Sequence, residues 1–138
     1  MKKLFLILTL FLNSCSFYTT RDRTYDYHDV QEYTISINDL FNAAKVGYFV
    51  YFYSQSCFHC ESIKEAIIKF CLDEIYPTYF IEYDKQITIC SNIENTIGVT
   101  VIEDLCILGT PTLIELYQGK IIKNIAGSSS ILKFLENH

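Results

Sequence analysis

The chain has 138 residues, of which half are apolar, with eleven Tyr, ten Phe, no Trp, six Cys and a formal charge of −5. That length suits one domain with a buried core and is short for two. The acidic balance, with no basic block beyond Lys2-Lys3, excludes the electrostatic footprint of a nucleic-acid binder.

Residues 1–14 are expected to be a signal peptide. Lys2-Lys3 form a positive start and Leu4 to Leu12 an apolar run interrupted only by Thr9. The run is far short of the roughly 20 residues a spanning helix needs, but it has secretory proportions. Leu12-Asn13-Ser14-Cys15 resembles a bacterial lipobox, in which the Cys becomes the lipidated first residue of the mature chain. Cys15 is therefore the expected lipidation site, and the protein is expected to be extracytoplasmic, anchored by lipid to the bacterial cell membrane. Ordinary cleavage, or an uncleaved anchor with Cys15 a bystander, is the alternative. Cleavage before Cys15 removes two Lys and no acid, taking the formal charge from −5 to −7. Residues 15–32 read as the lipidated Cys and a flexible polar tether, with a reach of about 20 Å.

The globular domain is expected over 33–138. Tyr33, Ile35 and Ile37 alternate with polar residues, a half-buried strand pattern. Asn38-Asp39 starts a short predicted helix, broken at Gly47. Tyr48 to Tyr53 is a continuous aromatic and apolar run, suited to a central strand buried on both faces. After Cys57, the residues Cys60, Ile63, Ala66, Ile67, Phe70 and Cys71 form one helical stripe, and Pro77 follows it. Thr78 to Tyr83 reads as a strand, and Asn92 to Ile97 as a short helix closed by Gly98. Thr112–Tyr117 and Lys120–Ile125 flank Gln118-Gly119, a hairpin signal. Ser128-Ser129-Ser130 opens a last amphipathic helix. The predicted class is α/β, a central mixed sheet flanked by helices on both faces.

The chemistry centres on Cys57-Phe58-His59-Cys60, between a buried strand and a helix start. A helix N-terminus points free N–H groups and partial positive charge at a thiolate, the reactive form of Cys. Cys57 sits at the helix start, whereas Cys60 lies one turn in, on the buried stripe. One sulfur can then exchange disulfides while the other resolves the intermediate. His59, when protonated, would favour the Cys57 thiolate; the alternative is an exposed residue capping the turn. A zinc site normally needs a second ligand pair, which this chain lacks, so no metal or cofactor is expected. Gly109-Thr110-Pro111-Thr112 precedes the hairpin, where Pro is tolerated as the first residue of a strand.

The strand, Cys57-Phe58-His59-Cys60, the long helix, then Gly109-Thr110-Pro111-Thr112 and a hairpin together resemble the thioredoxin-like family, over Tyr33 to His138. The resemblance implies a thioredoxin-like fold, a redox-active Cys57–Cys60 disulfide, a cis Pro111 beside it, and a Thr110 backbone that pairs with substrate. His59 before the second Cys is similar to the oxidising DsbA-type members. Three positions depart from thioredoxin itself. Tyr51 replaces a buried acid six residues before Cys57, Ser56 replaces Trp, and Glu65 replaces a helix-kinking Pro. The expected activity is a thiol-disulfide oxidoreductase, oxidase or isomerase, acting as a monomer on cysteine-containing client proteins and recycled by a membrane redox partner. The alternatives are a membrane-partnered reductase, a non-catalytic lipoprotein binding module, and copper delivery. Of the other cysteines, Cys71 reads as a core residue, while Cys90 and Cys106 are candidates for a structural disulfide whose pairing sequence does not decide.

Overall fold

The computed structural model describes residues 23–138. The expected signal peptide, Cys15 and the first part of the tether lie outside the described residues. The central sheet has strands β1 (Gly47–Tyr53), β2 (Thr78–Glu82), β5 (Thr112–Tyr117) and β6 (Lys120–Ala126), in the order β2-β1-β5-β6. β1 runs parallel to β2 and antiparallel to β5, and β5 and β6 are antiparallel, so the sheet is mixed. Between β2 and β5 lies a separate two-stranded parallel pair, β3 (Thr88–Ile89) and β4 (Cys106–Ile107).

The continuous apolar run makes β1 the strand on which both faces are built. Phe49, Tyr51 and Tyr53 enter one buried cluster with Cys60, Ile63, Ile67, Phe70 and Cys71 of helix α1 (Phe58–Leu72) and Ile131 of helix α2 (Ser128–Leu135). Tyr48, Val50 and Phe52 enter a second cluster with Leu40, Ile87, Leu105, Ile107, Ile114 and Ile121. The two α-helices pack on each other over the first face. The helical cover of the second face is short 3-10 turns, Ile37–Asp39 and Ile102–Asp104. Burying one Ile side chain is worth about 2 kcal/mol, so α1, with Ile63, Ile67 and Ile68 all buried, is held chiefly by packing.

The predicted stripe of α1 is buried as expected, with Ala66 half-buried and Ile68 added. The helix ends where Glu74 turns to φ 53°, ahead of Pro77. The β5–β6 turn is the two-residue Gln118-Gly119, both at positive φ (49° and 72°), the geometry that matches strand twist. The expected strand at Tyr33–Ile37 reduces to a single bridge, Thr34 with Phe80. The following predicted helix is one 3-10 turn, Ile37–Asp39, because so few residues before Gly47 cannot offset helix nucleation. The helix expected at Asn92 to Ile97 is likewise a 3-10 turn, Ile93–Thr96.

The domain boundary at residue 33 and the tether up to residue 32 need correction. Tyr27–Tyr33 forms a 3-10 helix packed on α1 and β2. Val30 is 0% exposed, and the Tyr27 ring stacks on Tyr53 with centroids 3.9 Å apart. The segment shows no period because it buries only single anchors along a short strap. Val30→Ala should therefore destabilise the domain by about 1–3 kcal/mol in chemical denaturation, whereas a change in a true tether would stay within about 0.5 kcal/mol.

Candidate functional site

The site forms where β1 ends and α1 begins. Ser54 to Ser56 turn the chain, and the Cys57 N–H closes the turn on the Ser54 carbonyl at 3.1 Å. Cys57 is the N-cap of α1 in extended backbone, and its sulfur accepts the Cys60 N–H at 3.1 Å. A sulfur thus takes the place of the usual capping oxygen. The Cys57 carbonyl accepts the Glu61 N–H at 3.1 Å, the first full turn of the helix.

Cys57 and Cys60 form a disulfide, with Cα atoms 5.2 Å apart. Their environments differ: Cys57 is half-buried, whereas Cys60 is 0% exposed among the apolar residues under α1. In the reduced pair, the Cys60 N–H and the helix N-terminus both favour a Cys57 thiolate.

The facing wall is the loop before β5. The Thr110–Pro111 bond is cis, and the Thr110 carbonyl oxygen lies 3.4 Å from the Cys57 sulfur. Gly109, at φ +134°, makes the bend, and its carbonyl accepts the Thr112 hydroxyl at 2.7 Å. The Pro111 carbonyl accepts the Gly127 N–H at 2.9 Å, which ties the loop to the start of α2. The structure therefore brings together Cys57, Cys60, Thr110 and Pro111, four of the expected site residues.

His59 takes a different place. Its ring is exposed and packs edge-on against Phe58, with centroids 5.8 Å apart. It lines a cleft of about 210 Å³ with Thr110, Pro111 and Ser128–Ser130. Among the described residues no hydrogen bond joins its ring to either sulfur, so any influence on Cys57 is through space. Phe58, 81% exposed, stands at the mouth of the site. The sequence showed its position in the motif, but only the fold shows that its ring faces solvent.

Tyr51, at the position of the missing acid, is fully buried, and its hydroxyl has no hydrogen-bond partner. Burial pushes its ionisation far up, so it keeps its proton and does not serve as a base. The Tyr27 hydroxyl is also buried without a partner, and burial pushes it up to about 12. Sequence reasoning missed Tyr27, one of four aromatics in a polar stretch that shows no helical or strand period. It lines a second cavity of about 490 Å³ with Asp26, Gln55, Glu61 and Lys64. Lys64 spans Asp26 at 3.3 Å and Glu61 at 2.8 Å, joining the strap to α1.

Cys90 and Cys106 form a second disulfide across β3 and β4. Among the described cysteines Cys71 alone is free. It is buried, its thiol lies 3.5 Å from the Thr78 carbonyl, and burial pushes it up to about 12. Among the described residues no cluster of three or more His, Cys, Asp or Glu side chains is placed to hold a metal ion.

No protein-family model matches the chain, and no curated protein sequence matches it. Solved structures do. Thioredoxin f2 of Chlamydomonas reinhardtii superposes with a TM-score of 0.50 at 11% identity, covering 76% of this chain and 94% of that one. Mitochondrial thioredoxin 3 of Saccharomyces cerevisiae, in its oxidised form, gives 0.49 at 14% identity, covering 76% and 93%. A Malassezia sympodialis thioredoxin gives 0.49 at 18% identity, covering 76% and 88%. The chain has a thioredoxin-like fold, and at these identities the likeness is one of fold.

Two outcomes follow from the cysteine and tyrosine environments. Alkylation of denatured, unreduced protein should label Cys71 and leave Cys57, Cys60, Cys90 and Cys106 unlabelled in peptide mapping; in the native protein Cys71 too should resist. Cys71 and Tyr27 are more easily ionised unfolded than folded, so the unfolded state loses protons first as pH rises. Their contribution to stability should therefore be level from neutral pH to about pH 9 and fall between there and about pH 12, as denaturant midpoints across that range would show.

Proposed function

We propose that the chain is an extracytoplasmic thiol-disulfide oxidoreductase, lipid-anchored through Cys15 to a bacterial cell membrane, that forms or isomerises disulfides in client proteins. The observation that carries the catalytic part is the asymmetry of the pair. Cys57 is reachable at the helix N-cap, and Cys60 is 0% exposed behind it. The anchor and location rest on Lys2-Lys3, the apolar run and Cys15.

In the oxidising direction a client thiolate attacks the Cys57 sulfur. The Cys57–Cys60 bond breaks, a client–Cys57 disulfide forms, and Cys60 leaves as thiolate. A second client thiolate then attacks the client sulfur of that mixed disulfide, closing the client's own disulfide and releasing Cys57 as thiolate. Two electrons pass from client to pair. A membrane redox partner that accepts them restores the Cys57–Cys60 disulfide. The Cys60 N–H, 3.1 Å from the Cys57 sulfur, helps Cys57 leave by stabilising its thiolate. Stabilising the reduced form in this way makes the disulfide a stronger oxidant. His59 at the rim, when protonated, adds to the same effect. Thr110 and Pro111 form the wall along which an extended client segment lies.

In a Cys60→Ser variant the lone Cys57 thiolate attacks client disulfides, releasing one client sulfur as thiolate, and no Cys60 is present to free Cys57 again. Client proteins disulfide-linked to Cys57 should therefore accumulate in the cell envelope, and Cys57→Ser should abolish them. Recovery of no such adducts would sink the catalytic reading and leave a binding module on the same fold. Direction is read from the reduction potential. A value near that of DsbA, about −120 mV, fits an oxidant, and one near that of thioredoxin, about −270 mV, fits the reductase alternative.

A further inference from the structure

We infer that the Cys90–Cys106 disulfide is a positioning element for Cys57, holding the Thr110 carbonyl against the Cys57 sulfur and so limiting how readily Cys57 ionises. The inference rests on the exchange reading of the Cys57–Cys60 pair and adds a second disulfide to its machinery.

The loop carrying Thr110 is held at its two ends by different means. Downstream, Thr112 pairs with Phe52 of β1, its hydroxyl binds the Gly109 carbonyl, and Gly127 binds the Pro111 carbonyl. Upstream, only Ile107, Leu108 and Gly109 separate Thr110 from Cys106. β4, which contains Cys106, is two residues long and pairs with no strand of the main sheet. Its partner β3 is equally short. A two-stranded pair of this size has little stability of its own. It is held by the buried Ile107 and Leu105 side chains, by the Cys90 N–H bound to the Ile107 carbonyl at 2.9 Å, and by the Cys90–Cys106 bond. The covalent bond is the one of these that solvent cannot exchange.

What reaches the reactive sulfur from this end is a carbonyl oxygen, 3.4 Å away. It accepts a hydrogen bond from a Cys57 thiol and repels a Cys57 thiolate, so it favours the protonated form. The Cys60 N–H, at 3.1 Å on the same sulfur, favours the thiolate. Cys57 thus sits between two opposed dipoles. One is built into α1, and the other is delivered by a loop fastened upstream through the buried Ile107 and the Cys90–Cys106 bridge. Opening the second disulfide lets the carbonyl withdraw and leaves the helix dipole unopposed.

The test uses the full chain with Cys60→Ser, so that Cys57 has no disulfide partner, and follows the pH profile of Cys57 alkylation on the Cys57 peptide. Replacing both Cys90 and Cys106 with Ala should raise the Cys57 thiolate fraction about three- to tenfold at a pH below its midpoint. Leu108→Gly, which slackens the link while keeping the bridge, should move the profile the same way. A folded double variant whose profile stays within about twofold of the parent, with only its unfolding midpoint lowered, overturns the inference and makes the bridge a simple staple. If the double variant does not fold, Leu108→Gly decides: an unchanged profile overturns the inference and a shifted one supports it. Neither measurement involves a client, so failure here is distinct from failure to trap partners through Cys57.

Discussion

The two-sided burial of β1 is the constraint from which the rest of the molecule follows. Six consecutive residues, Tyr48 to Tyr53, are buried, alternately into two separate clusters. A strand sealed on both faces must have a neighbour along each edge, because its backbone groups have no water to bond. β2 and β5 supply those neighbours, one parallel and one antiparallel. The parallel partner requires a crossover, and α1 is that crossover. The helix therefore has to begin directly beyond the end of β1, and Cys57 occupies that junction.

The same constraint gives the two sulfurs different surroundings without any special device. The N-cap of the crossover helix, Cys57, lies at the sheet's end and is only half-buried. A residue three positions on faces the sheet, so Cys60 enters the cluster that Phe49, Tyr51 and Tyr53 build from β1. The antiparallel partner β5 pairs Thr112 with Phe52, which places Thr110 and Pro111 beside the end of β1 and hence beside Cys57. Helix start, shielded sulfur and facing carbonyl are three consequences of one buried strand.

Charge has a small part in this arrangement. The groups in contact with the Cys57 sulfur are a backbone N–H at a helix terminus and a carbonyl, both of them peptide dipoles. At the position of the acid found in thioredoxin, Tyr51 stays neutral because burial opposes its ionisation. The ion pairs near the site, Lys64 with Asp26 and Glu61, bind the N-terminal strap to α1. A site tuned by dipoles depends on where its loops are held, which gives the second disulfide its importance.

Much of this was legible from residue order alone. The run Tyr48 to Tyr53 is too apolar for any place but a central strand, and the stripe from Cys60 to Cys71 has only one helical reading. Cys57-Phe58-His59-Cys60 between them made the reactive pair and its unequal exposure a matter of periodicity. Gln118-Gly119 announced the hairpin because few residues accept two successive positive φ angles. These features are local, written within one or two turns of chain. Contacts between distant segments were not legible. The Tyr27–Tyr33 strap looked like a tether because its anchors, Tyr27 and Val30, are single residues whose partners, Tyr53 and α1, lie far along the sequence. Sequence named Cys90 and Cys106 as candidates, and only the pairing of β3 with β4 joined them. The distance from the Thr110 oxygen to the Cys57 sulfur and the outward turn of Phe58 and His59 also belong to the tertiary structure. Periodicity tells which side of an element is buried; only the packing of elements on one another decides what each buried or exposed group meets there.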